Sequence, residues 1–448
     1  MNLANLVDLF AKAGVTRLYA KELAENDNSK NQIYFAGSVE ALNAFPSYQI
    51  FASNTKKGPT FKAHINFGWL QSSGEIAHAP NAKLILYSQY PEVRFSGFIQ
   101  GCDSAPSKLL MDRGRARKAT DADRKNLEGR ILFVGTTNDR KVVGFLVSGT
   151  SEIAREFQRT EFESAFVVFK SIKLPQKANA SDARSALIAE LTRIGKKGWI
   201  ASKQLAQSGE IRPCNAQNCG GFTLEAELGI PKNSESVPDF RGWEVKQHKV
   251  SNFERLTGGA ITLMTPEPTG GLYKEQGVES FIREYGYPDK HGRPSRLNFG
   301  GVHKIGVLQN LTNLTMQAIG YDSDNRTITD ADGCFALVDE AGNSAATWAF
   351  ASMFEHWSRK HANAAYVPSM SDVTNGRKYQ FGNKIRLASG TDSLKFIDAF
   401  ASGAIFYDPG IKLENMDTRP QIKRRSQFRV KSADIGVLYN SLDTVTLF

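Results

Sequence analysis

The chain has 448 residues, 41% of them hydrophobic and 23% charged, with a formal net charge of +10 and a pI near 9.2. That length exceeds one ordinary core, so two domains are the natural expectation. No run of about eighteen apolar residues occurs, and the start, MNLANLVDLFAKAG, carries an acid and no basic stretch. Both facts speak against a membrane span or secretion signal and point to a cytoplasmic protein.

Residues 1–180 hold 24 Lys and Arg against 17 Asp and Glu, or +7, and the rest hold 32 against 29, or +3. A basic excess favours a polyanionic partner, and the first part carries most of it. Four cysteines, Cys102, Cys214, Cys219 and Cys334, are too few for a disulfide framework and lack zinc-site spacing. They are expected to be free or buried thiols, and no local metal cluster is visible.

In chain order, a helix over VDLFAKAG is followed by short β-type runs separated by turn residues: NQIYFAG, YQIFAS, TFKAHINFGW, AKLILYSQY, VRFSGFIQG, GRILFVGTT, KVVGFLVSGT and AFVVFK. They predict a mostly-β first domain, barrel or sandwich, over residues 1–173. A polar linker, 174–184, opens with LPQKANASDA. Residues 185–448 then read as mixed α/β. Asp182 caps a helix with apolar positions Leu187, Ile188, Leu191 and Ile194, Ser202 caps a second, and GFTLEAELG forms a third closed by Gly229. Strands GWEVKQHK and AITLMT follow, then further strands and a helix around ATWAFASMFEHWSRKH. A central mixed sheet flanked by helices is expected.

The stretch VPDFRGWEVKQHK carries the chemistry. Residues two apart on a strand share a face, so Glu244 and Lys246 point the same way, with the Val245 carbonyl between them. Asp239 can bring a second carboxylate to the same place. Two carboxylates and a carbonyl are hard oxygen donors suited to Mg²⁺, and a lysine beside them can orient a water and balance charge at a scissile phosphate. Alone, a D-x4-E-x-K match is common, and a solvated Glu–Lys pair on an edge strand is the commoner reading of it. A further acid upstream, Glu225, favours phosphodiester hydrolysis.

The longer segment GGFTLEAELGIPKNSESVPDFRGWEVKQHK resembles the PD-(D/E)XK nucleases of the MvaI/BcnI restriction endonuclease family and the related mismatch-repair nickase MutH. Thr223, Glu225, Leu228, Asp239, Phe240, Glu244 and Lys246 fit the T-x-E-x-x-L helix, the D-F dipeptide and the E-[IVL]-K strand of that group. ITLMTPEPTGG, FIREYGYPDKHGR and SQFRV match later family segments in order, so the likeness spans about residues 185–448. It implies an α/β nuclease domain that uses Mg²⁺, with Asp239, Glu244 and Val245 as metal ligands and Lys246 and Glu225 completing the catalytic set. Arg429 matches the family arginine of the terminal strand, and its guanidinium suits guanine O6/N7. Where the group carries histidines just before that strand, this chain has Lys423, Arg424 and Arg425. His248, on the Lys246 face, either lines the site or packs beside it.

In the first domain, YAKELAENDNSKNQIYFAG and NAFPS resemble the opening of the EcoRII effector domain, a DNA-binding pseudobarrel. The chain departs from that pattern with Asn31-Gln32-Ile33-Tyr34 in place of H-Q-x-G. Arg94 and the run Arg113, Arg115, Arg117 and Lys118 are candidate DNA contacts or solvated surface charges. Three readings stand: a type II restriction endonuclease acting on double-stranded DNA, a MutH-like nickase, and a catalytically inactive DNA-binding regulator. The first implies a bacterial or archaeal cell, a cognate DNA methyltransferase, a site of CC-N-GG type and a monomer.

Overall fold

The computed structural model describes residues 1–448 apart from 25–31, 37–44, 46–47, 56–57, 88–91, 112, 138–139, 166–167, 176–182, 217, 233–237, 362 and 392. The chain divides into two compact units, Met1–Ala180 and Ser181–Phe448. Most of the expected linker, with the expected cap Asp182, lies outside the described residues. The first helix of the second unit is Ala183–Gly195, so it begins inside the stretch read as linker.

The first unit is mostly β. A seven-stranded sheet runs in the order Ser164–Ala165, Phe169–Ile172, Val15–Glu22, Ile131–Thr137, Val142–Val147, Phe67–Leu70, Ile76–His78. A five-stranded sheet runs Ile33–Ala36, Glu92–Ser96, Lys83–Tyr87, Gly58–His64, Tyr48–Thr55. Aromatic rings from the two sheets meet between them, Phe67 against Phe95 at 4.9 Å and Phe35 against Phe169 at 5.1 Å between centroids. Such ring pairs add to the burial of large apolar area. The opening helix, Leu3–Lys12, buries Leu6, Val7 and Phe10, a spacing that places them on one face.

In the second unit the strand Asn363–Asp372 is central. Its first part pairs in parallel with Glu244–Lys249 and antiparallel with Lys384–Ser389, and its last part pairs with Lys378–Phe381. Ser441–Thr446 and Ile200–Ala201 extend the sheet to six strands. The expected mixed sheet is therefore present. The helix Ala183–Gly195 lays Leu187, Leu191 and Ile194 against Val245, Ala365, Val367, Tyr379, Phe381, Ile385 and Leu387, and Leu224 of the helix Cys219–Glu227 joins the same cluster. A three-stranded sheet, Ala260–Met264, Phe428–Lys431, Ile405–Tyr407, carries the terminal FRV segment.

Two local expectations need correction. Ser202 caps no helix: it lies between the strands Ile200–Ala201 and Lys203–Leu205, and its hydroxyl donates to the Cys214 carbonyl at 2.6 Å. A tight turn with Gly209 at φ +85 instead closes a hairpin of Lys203–Leu205 with Ile211–Pro213. Cys214 and Cys219 are not free thiols but form a disulfide, because the hairpin returns Cys214 to the first residue of the helix that begins at Cys219. Cys102 and Cys334 are free.

Candidate active site

The spacing between Asp239 and Glu244 has a backbone cause. Phe240 and Trp243 exchange backbone hydrogen bonds of 2.9 and 2.8 Å around Arg241 and Gly242, whose φ angles are +46 and +89. Positive φ at both central residues is the signature of a two-residue hairpin turn, for which glycine is the natural second member. The turn folds Asp239 back so that its Oδ2 accepts the Val245 N–H at 2.9 Å, beside the start of the strand Glu244–Lys249.

Glu244 is almost fully buried, and its Oε1 lies 2.6 Å from Lys246 Nζ. Lys360, the last residue of the helix Phe350–Lys360, approaches the same oxygen at 3.8 Å. Burial pushes the Glu244 carboxyl up, but the Lys246 and Lys360 ammonium groups outweigh it and hold the group below its usual range. Its other oxygen, Oε2, is buried without a hydrogen-bond partner among the described residues.

Glu225 reaches this cluster from the helix Cys219–Glu227. Thr223 anchors that helix, its hydroxyl donating to the Cys219 carbonyl at 2.7 Å and accepting the Lys203 N–H at 3.2 Å. Gly220 allows close approach, since a Cβ there would stand 2.7 Å from Gln247 Oε1 of the neighbouring strand. Burial, then repulsion from Asp239, raises the Glu225 carboxyl to about 7, and burial, then Glu244, raises Asp239 to about 6. Lys246 is pulled down by burial and raised further by Glu244, Asp239 and Glu225, so it stays charged. The structure thus brings Glu225, Asp239, Glu244 and Lys246 within electrostatic reach of one another and adds Lys360. Among the described residues, no group of three or more His, Cys, Asp or Glu is arranged to hold a metal ion unaided.

The next acid on that helix has a different part. Glu227 pairs with Lys203 at 2.6 Å, Lys197 at 2.7 Å and Arg193 at 3.6 Å, tying the helix to its neighbours. His248 is buried and bonds through Nε2 to the Leu256 carbonyl at 2.9 Å, and burial lowers its pKa to about 4. It braces the following loop as a neutral ring.

The candidate DNA contacts divide between the units. Arg429 is engaged within the protein, paired with Asp408 and donating to the Ala260 carbonyl at 2.7 Å. Lys423 pairs with Glu414 at 2.7 Å, while Arg424 and Arg425 are exposed beside it. Arg425 folds over Gly410, where a Cβ would meet its guanidinium at 2.7 Å. In the first unit Arg94 pairs with Glu92 at 2.8 Å and lies over the Tyr87 ring. Arg115, Arg117 and Lys118 are exposed, and Arg113 starts the short helix Arg113–Ala116. The segments likened to the EcoRII effector domain fall partly outside the described residues.

Lys360 was missed from the sequence. It ends an amphipathic helix in an ordinary S-R-K-H run, and only the parallel pairing of Asn363–Asp372 with Glu244–Lys249 brings it to Glu244.

The described helices include none long and apolar enough to cross a membrane. A search of curated proteins gives no match. Among solved structures the chain is similar to "Restriction endonuclease MvaI-cognate DNA substrate complex", at 17% identity and a TM-score of 0.43 over 60% of this chain and 100% of that one. It is also similar to "Restriction endonuclease MvaI in the absence of DNA", at 16% identity and a TM-score of 0.32 over 60% of this chain and 99% of that one. The family model described as "MvaI/BcnI restriction endonuclease family" matches residues 188–439, more than half of the chain. The chain belongs to the MvaI/BcnI restriction endonuclease family and is a site-specific DNA nuclease.

Proposed function

We propose that the protein is a Mg²⁺-dependent type II enzyme that hydrolyses phosphodiesters of double-stranded DNA through Asp239, Glu244, Lys246 and Glu225, with Lys360 as a second cation of the site. The observation that carries this reading is the buried Glu244 Oε2, without a hydrogen-bond partner among the described residues, beside two carboxyls forced above their normal range. Buried polar atoms are nearly always satisfied, so an orphaned carboxylate oxygen inside an acidic cluster suits a bound cation.

Asp239, Glu244 and the Val245 carbonyl would hold the ion, a set in keeping with the one or two carboxylates Mg²⁺ usually takes while keeping waters. When bound, it would stabilise negative charge developing on the phosphoryl oxygens. Lys246, fixed by Glu244, orients a water toward phosphorus, Glu225 acts from the adjoining helix, and Lys360 offsets the negative charge of the cluster. By family resemblance the recognition sequence is of CC-N-GG type and a cognate methyltransferase protects host DNA. The first unit, with its +7 excess, serves as a DNA-binding module in a cytoplasmic enzyme.

Purified protein incubated with plasmid DNA and Mg²⁺ tests this: discrete fragments with uniform ends are expected. Nicked circles alone would favour a repair nickase, and intact plasmid at every divalent-ion concentration would overturn the reading.

A further inference from the structure

Directly after Lys360 stands His361, fully buried against the carboxylate cluster. Its Nε2 lies 3.1 Å from the Leu263 carbonyl oxygen, and a carbonyl only accepts, so Nε2 carries the proton. Burial, then the Lys246 ammonium, lowers the ring's pKa to about 3 and keeps it neutral, leaving Nδ1 bare. Nδ1 therefore accepts from the Tyr439 hydroxyl at 3.4 Å. The Tyr439 oxygen lies 3.0 Å from that of Tyr366, which is left to donate. Hydrogen bonds thus run one way through the core, from Tyr366 to Tyr439 to His361 to Leu263. The imidazole also stacks on Trp357 at 4.1 Å and 12°, and the Trp357 indole N–H donates to Thr391.

This network converges on the site. The His361 backbone N–H bonds to the Trp357 carbonyl and closes the helix Phe350–Lys360. The His361 ring ties that helix end to the strand Ala260–Met264, and Tyr366 stands opposite Lys246 in the parallel register. Helix ends fray, and a lysine side chain is long and mobile, so holding the Lys360 ammonium 3.8 Å from Glu244 requires a fixed backbone beneath it.

We propose that His361, locked in its Nε2–H tautomer by Leu263 and Tyr439, is the positioning residue that holds Lys360 over Glu244. The proposal rests on the reading of Glu244 and Lys246 as the hydrolytic site.

A double-mutant cycle in the full-length enzyme tests it, using single-turnover cleavage of a plasmid, DNA binding in Ca²⁺ and thermal unfolding. His361→Ala should slow cleavage about tenfold or more without weakening DNA binding. His361→Gln, whose amide can still donate to Leu263, should restore most of the rate. In a Lys360→Ala background, His361→Ala should cost less than about twofold more, because no ammonium remains to be placed. Equal costs in the two backgrounds, or slowing that follows the loss of thermal stability across the variants, would refute the proposal. If His361→Ala does not fold, Tyr439→Phe, which removes only the hydroxyl donor, enters the same cycle with the same criteria. Failure of the underlying site reading is seen separately, as undiminished cleavage by Lys246→Ala.

Discussion

Lys246 Nζ lies 2.6 Å from Glu244 Oε1, while Glu244 Oε2, in the same carboxylate, is buried with no hydrogen-bond partner among the described residues. One oxygen is committed to the lysine and the other is free to meet a cation. Glu244→Gln keeps the shape and removes the charge, and Asp239→Asn does the same for the carboxyl behind it. Each should lower cleavage by at least about a thousandfold while leaving DNA affinity in Ca²⁺ within about twofold, since the basic surface is untouched. Cleavage by either variant within tenfold of the wild-type rate would remove these residues from the site.

The pH dependence follows from the two raised carboxyls. Glu225 near 7 and Asp239 near 6 are protonated in acid, and only the ionised forms can bind a cation or a proton in transit. The cleavage rate should therefore climb between about pH 5 and pH 8, and stay high in alkali because Lys246 is held charged. Raising Mg²⁺ should move the rise to lower pH, because cation and proton compete for the same oxygens. A profile that is flat from pH 5 to 8, or one insensitive to Mg²⁺, contradicts the assignment.

Glu225 and Glu227, two residues apart on one helix, should answer the same amide substitution with opposite changes in stability. An unfolded Glu225 titrates near 4.5 and the folded one near 7, so the folded state holds the extra proton and stability falls as pH rises through that window. Above it the buried charge costs on the order of 3 kcal/mol, so Glu225→Gln should raise the melting temperature at pH 8 and leave it unchanged near pH 4. Glu227 is held below its usual range by Lys197 and Lys203, although burial opposes them. Its contribution is present above the unfolded value and lost as pH falls through the folded one. Glu227→Gln should cost about 1–2 kcal/mol at pH 8. Calorimetry at both pH values checks the pair, and shifts of the same sign at pH 8 would contradict the opposite roles of the two glutamates.

The contrast between these two glutamates also shows what the sequence could carry. Asp239, Glu244 and Lys246 were legible because a hairpin turn and strand alternation, both local, bring them together, and Arg241-Gly242 marks the turn. Glu225 was singled out as an acid on the helix just upstream, and the family pattern of that helix includes it. Lys360 and His361 were not, because their place depends on a pairing between strands far apart in the chain. Arg429 fits the family arginine, yet its ion pair with Asp408 depends on the neighbouring strand Ile405–Tyr407, which no spacing announced. The Cys214–Cys219 bridge was missed because the stretch after Ser202 was read as a helix, when a hairpin there returns the chain on itself.

Residues 1–180, expressed alone, should fold and bind duplex DNA without cutting it, since the unit has its own aromatic core and an excess of seven positive charges. Binding through phosphate contacts releases counterions, so affinity should drop steeply between about 50 and 200 mM salt. Removing the exposed charges Arg115, Arg117 and Lys118 together should flatten that slope. A fragment that binds no DNA at low salt, or whose binding ignores salt, would make this unit a module for protein contacts.

Cutting both strands poses a geometric problem. The chain has a single set of Glu225, Asp239, Glu244 and Lys246, and the strands of a duplex run in opposite directions, so one site cannot meet both scissile phosphates in one orientation. Either two chains act together through a self-complementary interface, or one chain cuts, releases, turns round on a nearly symmetric sequence and cuts again. The second route predicts a monomer in solution and a transient build-up of nicked plasmid ahead of linear product. It further predicts that excess enzyme shortens the life of the nicked species, because a second molecule can supply the second cut before the first reorients. Sedimentation that finds a stable dimer, together with linear product that forms with no nicked intermediate at any enzyme concentration, would establish the first route instead.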